Sequence, residues 1–107
     1  MGIERNAKGK PIYPSSEMFV AEDTSFLAGD SPVTLDINAT VGHNGNRGYI
    51  TIDGAGDIAV TISHDGSAYE TSFNLKTTET FDLTGLEIDS IRLTHSGTNS
   101  AYRVNCW

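Results

Sequence analysis

From Val33 to Cys106 the chain alternates apolar and polar positions with a period of two. Val33, Leu35, Ile37, Ala39 and Val41 interleave with Thr34, Asp36, Asn38 and Thr40, which sets one face of a strand on a core and the other in water. The pattern returns at Ile50 and Ile52, at Ile58, Val60 and Ile62, and at Tyr69, Thr71, Phe73 and Leu75. Phe81 with Leu83, Ile91 with Leu93, and finally Tyr102, Val104 and Cys106 continue it. Between Leu83 and Ile91 the parity slips, because Leu86 and Ile88 do not share the phase of Ile91 and Leu93, so a β-bulge or a corner between sheets is expected there.

Turn residues separate these runs. Asp53-Gly54-Ala55-Gly56 and His64-Asp65-Gly66-Ser67 contain Asp-Gly pairs suited to the positive φ of tight hairpins, and Gly42 to Gly48, Thr84-Gly85 and Ser96-Gly97-Thr98-Asn99 mark the remaining reversals. No segment carries a helical stripe. The prediction is an all-β fold, an antiparallel β-sandwich or small barrel of about six to eight short strands.

The N-terminal part behaves differently. Residues 1–31 lack either period, and Pro11 and Pro14 punctuate a stretch poor in apolar residues, so an extended N-terminal arm is predicted over 1–31 and a sandwich body over 32–107. Charge follows the same division. Arg5, Lys8 and Lys10 against Glu4 make residues 1–14 basic, whereas the remainder holds four basic and thirteen acidic residues within a chain of net charge −7. Met18-Phe19-Val20 and Phe26-Leu27 are apolar clusters without a clear period. An added edge strand, a latch along the sandwich and insertion into a neighbour are the open placements, with order on assembly favoured because exposed apolar groups in an irregular segment mark contact surfaces.

Composition bounds the function. With seven Lys and Arg in all, the chain lacks the clustered basic residues that phosphate backbones demand, so nucleic acid is not the expected partner. No run reaches the roughly 20 apolar residues of a membrane span, and residues 1–20 lack a signal-peptide layout, so a protein made and folded in the cytoplasm without membrane contact is expected. The lone Cys106 forms no internal disulfide and falls on the core parity, as a structural thiol. Trp107 after it is either a plug over one end of the sandwich or an anchor for a partner.

Candidate chemistry is sparse. Gly54-Ala55-Gly56-Asp57-Ile58-Ala59 matches a dinucleotide-type fingerprint, but a strand follows where a helix N-terminus is required, so a hairpin turn is the expectation. Ser63, His64 and Asp65 are the residue types of a hydrolytic triad, yet neighbours on a strand point to opposite faces. His43, His64 and His95 lack metal-ligand spacing, and Asp53, Asp57 and Asp65 match no calcium loop, so turn and capping roles are expected. Asp53 and Asp57 as a carboxylate pair for glycoside hydrolysis have no evident cleft around them. No enzyme activity, cofactor or metal is predicted.

One stretch resembles a known group. Leu86-Glu87-Ile88-Asp89-Ser90-Ile91-Arg92-Leu93-Thr94-His95-Ser96-Gly97-Thr98-Asn99-Ser100-Ala101-Tyr102-Arg103-Val104, with Ser63-His64-Asp65-Gly66-Ser67 upstream, is similar to small β-sandwich virion proteins of tailed bacteriophages. There a D-S-I-R strand is followed by a polar turn and a final S-x-Y-R-V strand. The resemblance implies a non-enzymatic particle component, a capsid decoration (cement) protein or a neck or tail accessory. Its location would be the virion and its partners the major capsid protein or other virion proteins. A homo-oligomer, for instance a trimer on a symmetry axis, fits that role. The arm residues expected to dock are Arg5, Lys8, Lys10, Ile12, Tyr13, Met18, Phe19, Val20, Phe26 and Leu27, with Trp107 as a further anchor. The alternative from another class is a carbohydrate-binding sandwich module, for which Tyr49 and the Thr-rich outward faces supply aromatic and hydroxyl groups.

Overall fold

Alternation turns into two sheets that share one apolar interior. The computed structural model describes residues 18–107, together with the backbone of β1 (Glu4–Arg5) and β2 (Pro11–Ile12), which pair antiparallel. The rest of the chain forms β3 (Phe19–Phe26), β4 (Val33–Asp36), α1 (Ile37–Val41), β5 (Gly48–Ile52), β6 (Ile58–Ser63), β7 (Phe73–Leu75), β8 (Thr80–Asp82), β9 (Ser90–His95) and β10 (Ser100–Cys106). One antiparallel sheet has the order β3-β10-β5-β8 and the other β4-β9-β6-β7. Inward residues of both, including Ile50, Ile52, Tyr102 and Val104 from the first and Leu35, Ile58, Val60, Ile91 and Leu93 from the second, make a single buried cluster. The architecture is therefore a β-sandwich, as the alternation predicts.

The topology departs from the hairpin expectation. Of the seven connections between consecutive sandwich strands, only β6 to β7 stays within a sheet; the other six cross from one sheet to the other. Asp53–Gly56 and Ser96–Asn99 are accordingly arches over the edge of the sandwich, not hairpin turns. The two arches lie against each other. Asp53 N–H and Gly54 N–H both donate to the Ala101 carbonyl, Gly56 N–H donates to the Asn99 carbonyl, and the buried Ser100 hydroxyl donates to the Gly56 carbonyl at 2.6 Å. A Cβ at Gly54 would stand 2.3 Å from Ala101 N, and one at Gly56 would stand 2.1 Å from the Thr98 oxygen. Close approach, not positive φ, requires glycine at both positions. The parity slip after Leu83 has the same origin, since 83–89 carries the chain from β8 in one sheet to β9 in the other, with Leu83 and Ile88 both fully buried.

Two further expectations are corrected. The strand predicted over Val33 to Val41 stops at Asp36, whose carboxylate accepts the Ala39 N–H at 3.0 Å and so caps α1. Gly42, at φ 89°, closes the helix by donating to the Asn38 carbonyl. Local capping overrides the alternation there, leaving Ile37 in the core and Ala39 exposed. Likewise Tyr69 and Thr71 precede β7; Tyr69 makes only an isolated bridge to Ser63.

Of the placements open to the apolar clusters in 18–31, which the sequence groups with the arm, the structure takes the edge strand and not order on assembly. β3 pairs with β10 from Phe19 opposite Cys106 to Phe26 opposite Ser100, with a register shift between Ser100 and Tyr102. That irregularity lets Phe19 and Phe26, which have opposite parity, both face the core, and it erases the period from the sequence. Phe26 meets Tyr102 edge-on with ring centroids 5.4 Å apart. The sandwich accordingly begins at Phe19, not at Pro32.

Gly56→Ala should lower stability by about 2 kcal/mol or more through the collision with the Thr98 carbonyl. Gly29→Ala, where an added Cβ meets nothing within 4 Å, should change it by less than about 0.5 kcal/mol. Urea-denaturation midpoints of the two variants check the arch contact; equal midpoints would contradict it.

Candidate binding surface

Register across the first sheet fixes which side chains share its outer face. Opposing residues form rows: Val20, Asn105, Tyr49 and Asp82 in one, and Glu22, Arg103, Thr51 and Thr80 in the next. Beyond the strand ends the ladder continues, because Arg47 N–H donates to the Trp107 carbonyl at 3.1 Å and Trp107 N–H returns a bond to the Arg47 carbonyl at 3.0 Å. Leu83 N–H donates to Gly48 O, which brings Thr84 alongside.

Polar pairs hold this face. Arg103 grips Asp53 with Nε at 2.8 Å from Oδ2 and Nη2 at 3.2 Å from Oδ1, which raises the guanidinium pKa through the hydrogen bond and the charge of Asp53. Thr51 and Thr80 hydroxyls meet at 3.1 Å, and Asn105 Nδ2 donates to the Tyr49 hydroxyl at 2.9 Å. Thr84, through its hydroxyl and its backbone N–H, holds the Asp82 carboxyl below its usual value, so Asp82 is ionised at neutral pH.

At the Trp107 end these rows enclose an open depression of about 410 Å³, lined by Arg47, Gly48, Tyr49, Thr80, Asp82, Thr84 and Trp107. Tyr49 and Trp107 are each 37% exposed. Among the described residues Arg47 forms no ion pair or side-chain hydrogen bond, and the Trp107 indole N–H has no acceptor. On the other sheet, by contrast, Tyr69 is already covered by the Arg92 guanidinium, 4.1 Å from its ring centre.

The structure disperses the other candidates. Ser63 donates to Asp65 at 3.3 Å and accepts from Gly66 N–H at 2.8 Å, while His64 turns its Nδ1 to the Glu87 carbonyl, so no serine–imidazole pair forms. Asp65 closes its own turn by accepting from Ser67 and Ala68 N–H groups, which lower its pKa. His43 bonds the Asn44 carbonyl, and His95 bonds Asn99 Oδ1 and the Gly97 N–H. Among the described residues no three His, Cys, Asp or Glu groups are placed to hold a metal ion, and no helix is long and apolar enough to cross a membrane. The Asp53 carboxylate is tied to Arg103.

Of the predicted arm anchors, Arg5 and Ile12 are described as strand backbone only, and Lys8, Lys10 and Tyr13 lie outside the described residues. Phe19 and Phe26 belong to the core and are not free to dock; Met18, Val20 and Leu27 are exposed. Trp107 is a wall of the depression, on the same outward parity as Arg103 and Asn105. Sequence alone singled out Tyr49 and Trp107 separately and missed Arg47, Asp82 and Thr84, whose grouping depends on the β5–β8 and Arg47–Trp107 registers. No family model matches the chain, and neither does any curated protein or solved structure.

Cys106, fully buried on the inner side of the same strand, has its thiol pushed up to about 11 by loss of solvent. It should resist alkylation in the native protein and react on unfolding. Because the folded pKa lies above the ordinary 9.0, the unfolded chain releases a proton between about pH 9 and 11 that the folded one keeps. Stability is therefore unaffected by this group below about pH 9 and falls on the order of 2–3 kcal/mol as pH rises through that window. Denaturation midpoints from pH 7 to 11, compared with Cys106→Ala, measure it; parallel slopes would exclude the thiol as the cause.

Proposed function

We propose that this chain is a non-enzymatic bacteriophage virion structural protein, a capsid decoration (cement) protein that stabilises the head through many weak contacts. The observation that carries this reading is the gathering of exposed apolar groups at one end of the first sheet. Met18, Val20, Tyr49 and Trp107 stand there, at the point where the chain enters β3. A monomeric surface seldom clusters large apolar side chains without a contact to make. The similarity of Leu86–Val104 to small phage sandwich proteins supports the same reading.

Residues 1–17 precede that end, with Arg5, Lys8 and Lys10 suited to an acidic shell surface and Ile12 and Tyr13 to apolar sockets. Each ordered backbone residue opposes binding by about 1–2 kcal/mol, which Pro11 and Pro14 reduce by restricting the free chain. Repetition on a lattice compensates further, since a second contact from an already bound oligomer is effectively intramolecular. The partners are then the major capsid protein and further copies of this chain around a symmetry axis.

Deleting residues 1–17 leaves all eight sandwich strands in place and tests the docking role directly. Co-sedimentation with heads, tails and whole virions should give saturable binding of the full chain to heads, weakened at least tenfold by the deletion. Binding confined to tails would place the protein at a neck or tail instead. Absence of binding to any particle would overturn the virion reading, and unchanged binding by the shortened chain would overturn the role of the arm.

A further inference from the structure

We infer that the depression between Trp107 and Tyr49 is a saccharide-binding site. This goes beyond the docking role and does not depend on it. Three features of the lining point to that chemistry. First, Trp107 and Tyr49 lie on adjacent rows of one outer face, two residues apart along the ladder, which is about 7 Å on a strand and on the scale of one sugar ring. Both rings are about one-third exposed, so apolar C–H faces have something to stack on.

Second, the polar groups around the rings are of both kinds. Asp82 is an ionised acceptor that takes the Thr84 hydroxyl and, on Oδ1, the Thr84 N–H; a carboxylate has lone pairs for further donors beside these. Arg47 is a charged donor without an ion pair among the described residues. Thr80 and Thr84 bring hydroxyls to the same rim. Sugar hydroxyls donate and accept at once, and a neighbouring carboxylate and guanidinium satisfy both halves of that capacity.

Third, part of the site is built before a ligand arrives. Asn105 Nδ2 holds the Tyr49 hydroxyl, and mutual backbone bonds fix the main chain of Trp107 against Arg47, so one ring and the backbone beneath the other need no ordering on binding. Other ligand classes fit less well. Among the described lining residues a polyanion would meet one Arg beside the Asp82 carboxylate, and a depression this open does not enclose a cofactor.

The chain contains one tryptophan, so indole fluorescence reports on this site alone. Titration of the full chain with neutral hexoses, N-acetylated amino sugars and uronic-acid oligosaccharides should give a saturable shift for at least one class, with roughly millimolar affinity for a monosaccharide. Nuclear magnetic resonance shift mapping should place the perturbation at Tyr49, Asp82, Thr84 and the Trp107 indole N–H. Tyr49→Ala should weaken binding at least tenfold and Asp82→Asn several-fold, with unfolding midpoints confirming that both variants fold. A flat response to every class at about tenfold above that affinity, or shifts mapping to the other sheet, would overturn the site. Particle co-sedimentation of the same two variants keeps the questions apart. Loss of sugar binding with docking intact supports the saccharide site and moves docking off Tyr49 onto Met18, Val20 and the N-terminal residues; loss of docking with no sugar response in the full chain makes this surface a protein contact and ends the saccharide proposal.

Discussion

The placement of β10 between β3 and β5 is the constraint on which the rest of this sandwich depends. Ser100, Tyr102, Val104 and Cys106 point inward and are all buried, while Arg103 and Asn105 point outward, Arg103 to Asp53 in the arch after β5 and Asn105 to Tyr49 on β5. One seven-residue strand thus sets both the interior and the candidate surface. A slip of a single residue would exchange the two, driving Arg103 into the core and Val104 into water. Two fitted partners oppose that slip. On one side β5 pairs without interruption from Gly48 to Ile52; on the other, the register shift in β3 accommodates both Phe19 and Phe26.

The crossing connections follow from the same economy of length. A chain that changes sheet at six of seven connections places sequence neighbours on opposite sides of the core, so nearly every pairing is long-range. Such a layout leaves the arches to carry specificity that tight hairpins would otherwise supply. The arches here do so with backbone contacts: Gly54 and Gly56 let 53–56 rest on 98–101, and Gly45 exchanges hydrogen bonds with Ile88. Slow folding relative to a meander of equal size is the physical corollary, because loop closure must precede the contacts that reward it.

Strand positions were legible in the sequence wherever one face is wet and one is dry, as in Ile50 with Ile52 or Ile58 with Val60 and Ile62. The fold class follows from those runs alone. What alternation cannot encode is which runs pair. The Asp-Gly pair at 53–54 looks like that at 65–66, yet the first spans two sheets and the second joins neighbours. Nor does alternation reveal a cap that interrupts it, as Asp36 does, or a bulge that hides it, as in β3. The candidate surface was harder still. Tyr49 and Trp107 are visible as unusual residues, but Asp82 joins them only through its position opposite Tyr49, and Arg47 only through its ladder bonds to Trp107.

The buried polar groups of the described residues are engaged in holding the fold. Among the described residues no buried side-chain nitrogen or oxygen lacks a partner. Ser100 is bound to Gly56, Ser63 to Gly66 and Asp65, Ser90 to Asp89, and Ser31 to the His95 N–H. The Ser100 bond fastens one arch to the other, and the Ser63 bonds close the 63–66 turn, so these hydroxyls hold connections in place. The histidines are absorbed in the same way by carbonyl, amide and aromatic neighbours. On the outer face of the first sheet, the Arg47 guanidinium and the Trp107 indole N–H keep polar capacity unengaged among the described residues. Charged groups of both signs and two aromatic rings thus share one outer face, on a scaffold whose buried side-chain polar atoms all have partners among the described residues.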